Sequence, residues 1–473
     1  MKDIKFILAG IAALTLTLSA ASCDDNNEKT ESSEPVVQQE ISTEPVTESP
    51  EERAKNKTIT WAADFSLVSP DGQESSAALS LFRDYYDGEI NYVHINDEDK
   101  YASLEYLLNC GDPIDMFPYD EMTVPKGVTM ELFDPLDPYF DVLGVDEGLW
   151  EDMMGAADAL QYDGAHYVMP YDVSAPQLIM YSRKLVKKEK LDDPYELYLK
   201  GEWDWNAMMN MMSAFVSNPE AEGKRYGIAG EFGKAMLTSS GSTVVKYENG
   251  KFTNNIKDKA LAKAEKLMKK ISDENLYNRN WYEYYPNDNQ TLFYAMGDWA
   301  LGMTNAKNAK KDIMIVPFPK NPDAEEHYIS CDYNARMLVK WSANPEAVAA
   351  YIKCERIAAM EEAYKELEKS ALSVKEKDAY DKWKPFVTEE QFDAVQSYLD
   401  DARKAPVFDF GYGMGNEMYG GGDFTYETRG VMNNLTESFL YGENAVEDWD
   451  KMRDDMTKKV ERAVKSFSKS QNN

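Results

Sequence analysis

The chain has 473 residues, 43% of them apolar, and a formal charge of −33 at pH 7. That length allows two or three ordinary domains with ample core. The charge excludes nucleic acid and an anionic membrane surface as electrostatic partners, and the surplus carboxylates read as a solvated surface.

Residues 1–22 read as a signal peptide, with Lys2 and Lys5 before an apolar stretch too short to span a bilayer. It ends in Leu18-Ser19-Ala20-Ala21-Ser22-Cys23, which resembles a lipobox and makes Cys23 the expected lipidation site. Two acyl chains on Cys23 would hold the protein stably at the extracytoplasmic face of the cell membrane. Residues 23–56, rich in Ser, Thr, Pro, Glu and Gln, read as a disordered acidic linker. As a flexible coil it would average roughly 30 Å end to end. Beyond Cys23 only Cys110, Cys331 and Cys354 remain, an odd number that argues for free buried thiols rather than a disulfide framework.

Folded structure is predicted to begin with a strand at 57–61, then a helix within 73–86 and a strand at 90–95. A helix at 100–109 closed by Gly111 and a third strand at 114–117 follow. This strand–helix alternation implies a parallel sheet with helices on both faces. Pro170 and Pro176 keep the next stretch extended, so it reads as the passage from one lobe to another. A strand at 177–181, a basic helical turn near Arg183, and a Met-rich helix at 205–215 come next. Helices at 256–271 and 288–296 precede strands at 313–318 and 337–339. Asn344 and Pro345 then open another helix, and three or four more complete the chain. The glycine-rich run 411–422 fits no element by pattern.

Several of these stretches resemble bacterial extracellular solute-binding proteins, the sugar-type lipoprotein receptors of ABC importers. Gly164, Tyr167, Pro170 and Tyr171 match the family's central run; Tyr181, Ser182, Lys184 and Leu185 match its following turn. Trp203, Asp204 and Trp205 match its helix start, and 107–115 its turn before the third strand. Gly297 and Trp299 match the strand that returns to the first lobe. The resemblance implies an α/β, two-lobed periplasmic-binding-protein-like fold, each lobe a mainly parallel sheet flanked by helices, joined by hinge crossings. Lobe one would comprise 57–171 plus 299–345, and lobe two 172–298 plus 346–473. It further implies a monomer that captures a mono- or oligosaccharide between the lobes and delivers it to ABC permease subunits.

Ligands of open α/β sheets bind beyond the carboxyl ends of strands, so residues at strand ends and crossings are the candidates. These are Trp61, Asp64 and Phe65; Tyr119 and Asp120; Tyr171 and Asp172; Trp281; Trp299; and Tyr333 and Asn334. Aromatic faces beside carboxylates and amides suit a sugar, which offers C–H faces and hydroxyls. No catalytic residue, metal ligand or cofactor is expected, because the chain carries no HExxH, GxSxG or Walker A motif. The alternatives are a surface-anchored glycan hydrolase, an adhesin, or the same fold binding a non-sugar solute.

Overall fold

The computed structural model describes residues 49–69, 75–96, 99–279, 290–297, 312–362, 365, 388–420, 428–438, 440 and 449–470. Cys23, Trp281 and Trp299 lie outside the described residues, as do the signal peptide and most of the linker.

The fold starts earlier than the sequence pattern implied. Helix α1 (Pro50–Ala54) falls inside the stretch read as linker, because Ser49 and Glu52 form a reciprocal capping box and Pro50 is pre-set for the first helical position. Ala54 is fully buried there. Strand β1 (Thr58–Ala63), helix α2 (Ala77–Tyr86), strand β2 (Glu89–His94), helix α3 (Lys100–Cys110) and strand β3 (Met116–Pro118) follow as expected. Gly111, at φ 82°, lets the chain turn left-handed and stop α3, a conformation other residues resist. Short helices α4 (Phe140–Leu143) and α5 (Met154–Ala159) follow.

The chain leaves through strand β4 (Asp172–Ser174) and becomes β5 (Gln177–Ser182), followed by α6 (Arg183–Lys188), α7 (Pro194–Leu199) and α8 (Trp205–Val216). Strand β6 (Tyr226–Gly230) and helix α9 (Gly233–Thr238) lead into a hairpin of β7 (Val245–Glu248) and β8 (Lys251–Asn254), then α10 (Lys259–Asp273). Strands β9 (Thr291–Gly297) and β10 (Ile313–Pro317) come next, and the chain returns through β11 (Asp332–Asn334) to β12 (Arg336–Leu338) and α11 (Pro345–Met360). Helices α12 (Glu389–Lys404), α13 (Asn416–Tyr419), α14 (Val431–Glu437) and α15 (Trp449–Ser470) finish the described chain.

Two four-stranded sheets result, in the orders β12-β3-β1-β2 and β10-β5-β9-β6. Each contains parallel strands: β1 with β2 and β3 in the first, β6 with β9 in the second. Strand β5 runs antiparallel to both its neighbours, because it enters the second sheet straight from the crossing. Between the sheets β4 and β11 pair as a two-stranded antiparallel ribbon, which places the outgoing and returning chain side by side.

Three expectations are corrected. Residues 291–297 form a strand rather than a helix: β9 is buried at every position between β5 and β6, and a strand apolar on both faces shows no alternation to betray it. Strand β10, assigned to lobe one, pairs with β5 in the second sheet. Helix α11, assigned to lobe two, packs on α2 and α4 in the first, with Tyr351 edge-on to Phe82 at 5.5 Å. Its side chains Ala347, Val348 and Ile352 are fully buried there, which supplies the hydrophobic reason for the return. Asn344 donates its amide to the Thr58 carbonyl and makes no side-chain cap, so it ties α11 to β1.

The Trp–Asp–Trp motif is structural. Trp203 donates to the Pro317 carbonyl and Trp205 to Ser239, while Asp204 caps α8 through the Ala207 amide. The Met208, Met212 and Phe215 stripe of α8 is core, as its spacing implied. Cys110, Cys331 and Cys354 are free thiols, and Cys110 is exposed where burial had been expected. No described helix is long and apolar enough to cross a membrane.

Candidate functional site

The segment after β3 positions the first half of the site. Asp120 is a turn former: its carboxylate accepts from the Met122 amide at 2.8 Å and from the Tyr101 hydroxyl at 2.5 Å, and pairs with Lys100 at 2.7 Å. With Asp120 committed to lobe one, its neighbour Glu121 projects towards lobe two. There it pairs with Lys234 of α9, whose ammonium also sits 4.9 Å from the centre of the Tyr412 ring. Burial opposes the Lys234 charge, but Glu121 beside it and nearby Asp332 prevail, so its pKa is raised.

Glu121 and Lys234 face each other in a slot bounded by Thr238, Tyr333, Phe408 and Tyr412. The slot holds about 40 Å³, room for a water molecule or two but not for a sugar ring. Its walls come from lobe one, lobe two and the hinge ribbon. The glycine-rich run that sequence could not place forms one of them. Phe410–Gly413 makes a 3-10 turn, and Gly413 lies against the Val124 carbonyl and Pro125 of lobe one, where a Cβ has no room. Asp409 fixes this turn by accepting from the Val244, Val245 and Gly411 amides. Burial pushes the Asp409 carboxyl up to about 6, against the three amides that favour its charge.

A chain of rings closes the other side. Tyr162 of lobe one stacks on Tyr247 of β7 at 5.4 Å, and Tyr247 meets Phe410, which meets Phe408 at 4.9 Å. Tyr333 packs against Phe408 and donates to the Val407 carbonyl at 3.3 Å. Tyr119 stands beside this group with a buried hydroxyl that has no hydrogen-bond partner. Desolvation, and then the charge of Glu121, hold that hydroxyl well above the usual tyrosine range. A buried donor without an acceptor is costly unless something else satisfies it.

Among the described residues, the other expected ones do not line the slot. Trp61 is fully buried, with its indole N–H bonded to the Phe65 carbonyl at 2.8 Å, so it offers no surface to a ligand. Asp64 and Phe65 are exposed at the carboxyl end of β1, away from the slot lining. Tyr171 lies 5.3 Å from the Arg336 guanidinium, which also rests on Trp61 and pairs with Glu355 at 3.0 Å. Asp172 accepts from Arg403, and Asn334 accepts from the Ser174 hydroxyl across the ribbon. Sequence reasoning missed Glu121, Lys234 and Tyr412. Glu121 directly follows two named candidates, whereas Lys234 gave no signal and Tyr412 lay in the unassigned run. Among the described residues, no cluster of three or more His, Cys, Asp or Glu could hold a metal ion.

Two sheet lobes, a paired hinge ribbon and a slot between them define the two-lobed binding-protein fold. Residues 72–354, more than half of the chain, match the family model for bacterial extracellular solute-binding proteins, and the chain belongs to that family. Several solved structures share the fold. The GacH receptor of Streptomyces glaucescens, solved unliganded and with acarbose, aligns with a TM-score of 0.53 at 14% identity, over 86% of this chain and 98% of that one. The galacto-N-biose-/lacto-N-biose I-binding protein of a Bifidobacterium longum ABC transporter, in complex with lacto-N-biose, aligns at 0.53 and 13% identity, over 87% and 98%. The sugar-binding protein MalE of Xanthomonas citri aligns at 0.54 and 12% identity, over 87% and 98%. No curated protein matches the sequence.

Proposed function

We propose that this chain is a lipid-anchored extracytoplasmic receptor that captures a mono- or oligosaccharide between its lobes and hands it to an ABC permease. The observation that carries this reading is convergence: Glu121 from lobe one and Lys234 and Tyr412 from lobe two meet at one slot, beside Tyr333 of the hinge. Aromatic faces receive sugar C–H groups, while a carboxylate and an ammonium receive and donate to hydroxyls. Family membership and the sugar-bound relatives support the same class. A ligand that touches both lobes favours the form in which they are close, and the slot must widen to admit it.

In this reading Tyr119 and Tyr333 contact the solute directly, and Asp64 and Phe65 stand at the rim. Asp120, Tyr171, Asp172 and Asn334 hold the walls in place. The receptor performs no chemistry on its solute and acts as a monomer tethered through Cys23. Titration calorimetry of the purified protein against a panel of mono- and oligosaccharides tests it, with saturable heat from at least one sugar expected. Silence across the panel would redirect the reading to a non-sugar solute or an adhesin, and release of reducing sugar from a glycan would favour a hydrolase. For the anchor, Cys23→Ala is expected to move the protein from the membrane to the soluble fraction.

A further inference from the structure

The two charged side chains that meet in the slot come from different lobes. Glu121 has Lys234 as its hydrogen-bond partner, whereas adjacent Asp120 is bound wholly within lobe one. Lys234 rises from α9 over the Tyr412 ring, on the far side of the slot from β3. The pair is only partly buried, with side-chain exposures of 38% for Lys234 and 34% for Glu121. Solvated ion pairs of this kind shift an equilibrium by about five-fold at most, so this one can be displaced.

We propose that Glu121 and Lys234 are the solute's polar contacts, one on each lobe, and that in the empty slot they clasp the lobes by bonding to each other. The solute half of this inference rests on the receptor reading, while the clasp rests on geometry alone. The chemistry narrows the solute class. A vicinal diol satisfies both groups at once: one hydroxyl donates to the Glu121 carboxylate and the next accepts from the Lys234 ammonium. The sugar's C–H face is then left for the Tyr412 ring. The pair is neutral overall, so a carboxylated or an amino sugar brings an uncompensated net charge into the half-buried slot, whereas a neutral sugar does not. The slot therefore selects a neutral sugar with adjacent free hydroxyls.

Small-angle scattering of the sugar-free protein tests the clasp. Glu121→Gln and Lys234→Met should each increase the radius of gyration, and the charge-swapped double variant E121K/K234E should restore it. Thermal melts run alongside separate opening of the lobes from unfolding. If both single variants, still folded, scatter as the wild type does, the clasp is wrong.

Calorimetry tests the solute half. For a sugar that the wild type binds, each single variant should lose about ten- to a hundred-fold in affinity, the range for hydrogen bonds to charged groups. The corresponding uronic acid should bind more weakly than the neutral sugar. Unchanged affinity in either variant, or a uronic acid bound as tightly, overturns this half. If the wild type binds no sugar at all, the sugar receptor reading falls with it, and the scattering comparison still decides the clasp.

Discussion

Arg403, in the last turn of α12, donates to the carboxylate of Asp172 in the hinge ribbon at 2.5 Å and lies 3.9 Å from Asp152 of lobe one. Asp152 in turn pairs with Arg356 of α11, which donates to the Tyr171 carbonyl at 3.0 Å. Two arginines and two aspartates thus lock the ribbon between the lobes. Arg403 is 7% exposed and Asp172 24%, so the attraction is screened far less than on the surface.

Replacing Arg403 with Met leaves the half-buried Asp172 carboxylate without its cation, while Asp152 keeps Arg356. The expected loss is roughly 2–3 kcal/mol, below the value for a fully buried pair because Asp172 keeps some water. Urea denaturation should show a lower midpoint. In a double-mutant cycle the effects of Arg403→Met and Asp172→Asn should be clearly non-additive. Additive losses would mean the two side chains do not act together.

Asp409 gives a pH signature. Its folded carboxyl titrates at about 6, above the ordinary 3.8, so the native state holds an extra proton in between. The stabilising contribution is complete below about 4 and is lost as pH rises through about 6, a change of roughly 3 kcal/mol. Stability of the wild type minus that of Asp409→Asn should therefore fall as pH rises across this window. A difference that stays flat in chemical melts from pH 4 to pH 7 rules this out.

Gly413 bears on closure. A methyl group there would press on the Val124 carbonyl and Pro125 of the opposite lobe. Gly413→Ala should leave the melting temperature near that of the wild type while pushing the lobes apart, seen as weaker solute binding and a larger radius of gyration. A variant that binds and scatters like the wild type would show that the turn yields without cost.

Tyr119→Phe separates solute binding from stability. The hydroxyl is buried and partnerless without solute, so removing it should be neutral or slightly stabilising in a thermal melt. If the solute completes that hydrogen bond, affinity should drop by about five- to ten-fold, the net worth of one such bond. Loss of stability without loss of affinity would place Tyr119 in the framework alone.

Local signals carried most of the first lobe. Alternation and helical spacing located β1, β2, α2 and α3, and Gly111 marked a real helix stop. What failed was information that is not local. Nothing in Thr291–Gly297 says that a neighbour lies on each side, so a central strand passed for a helix. Which sheet takes β10, and which lobe takes α11, depends on partners far away in the chain. Of the residues expected at strand ends and crossings, Tyr333 lines the slot, because strand ends can be read. Trp61 misled because its position at a strand end hid its burial. Lys234 was invisible, since its meaning arises only when α9 faces the end of β3.

The placement of β12 has a biosynthetic consequence. It pairs with β3 and becomes the outer strand of the first sheet, yet it is translated only after β5 to β10 have been made. A ribosome-bound intermediate that folded at once would carry the bare edge of β3 throughout that interval, open to pairing with other chains.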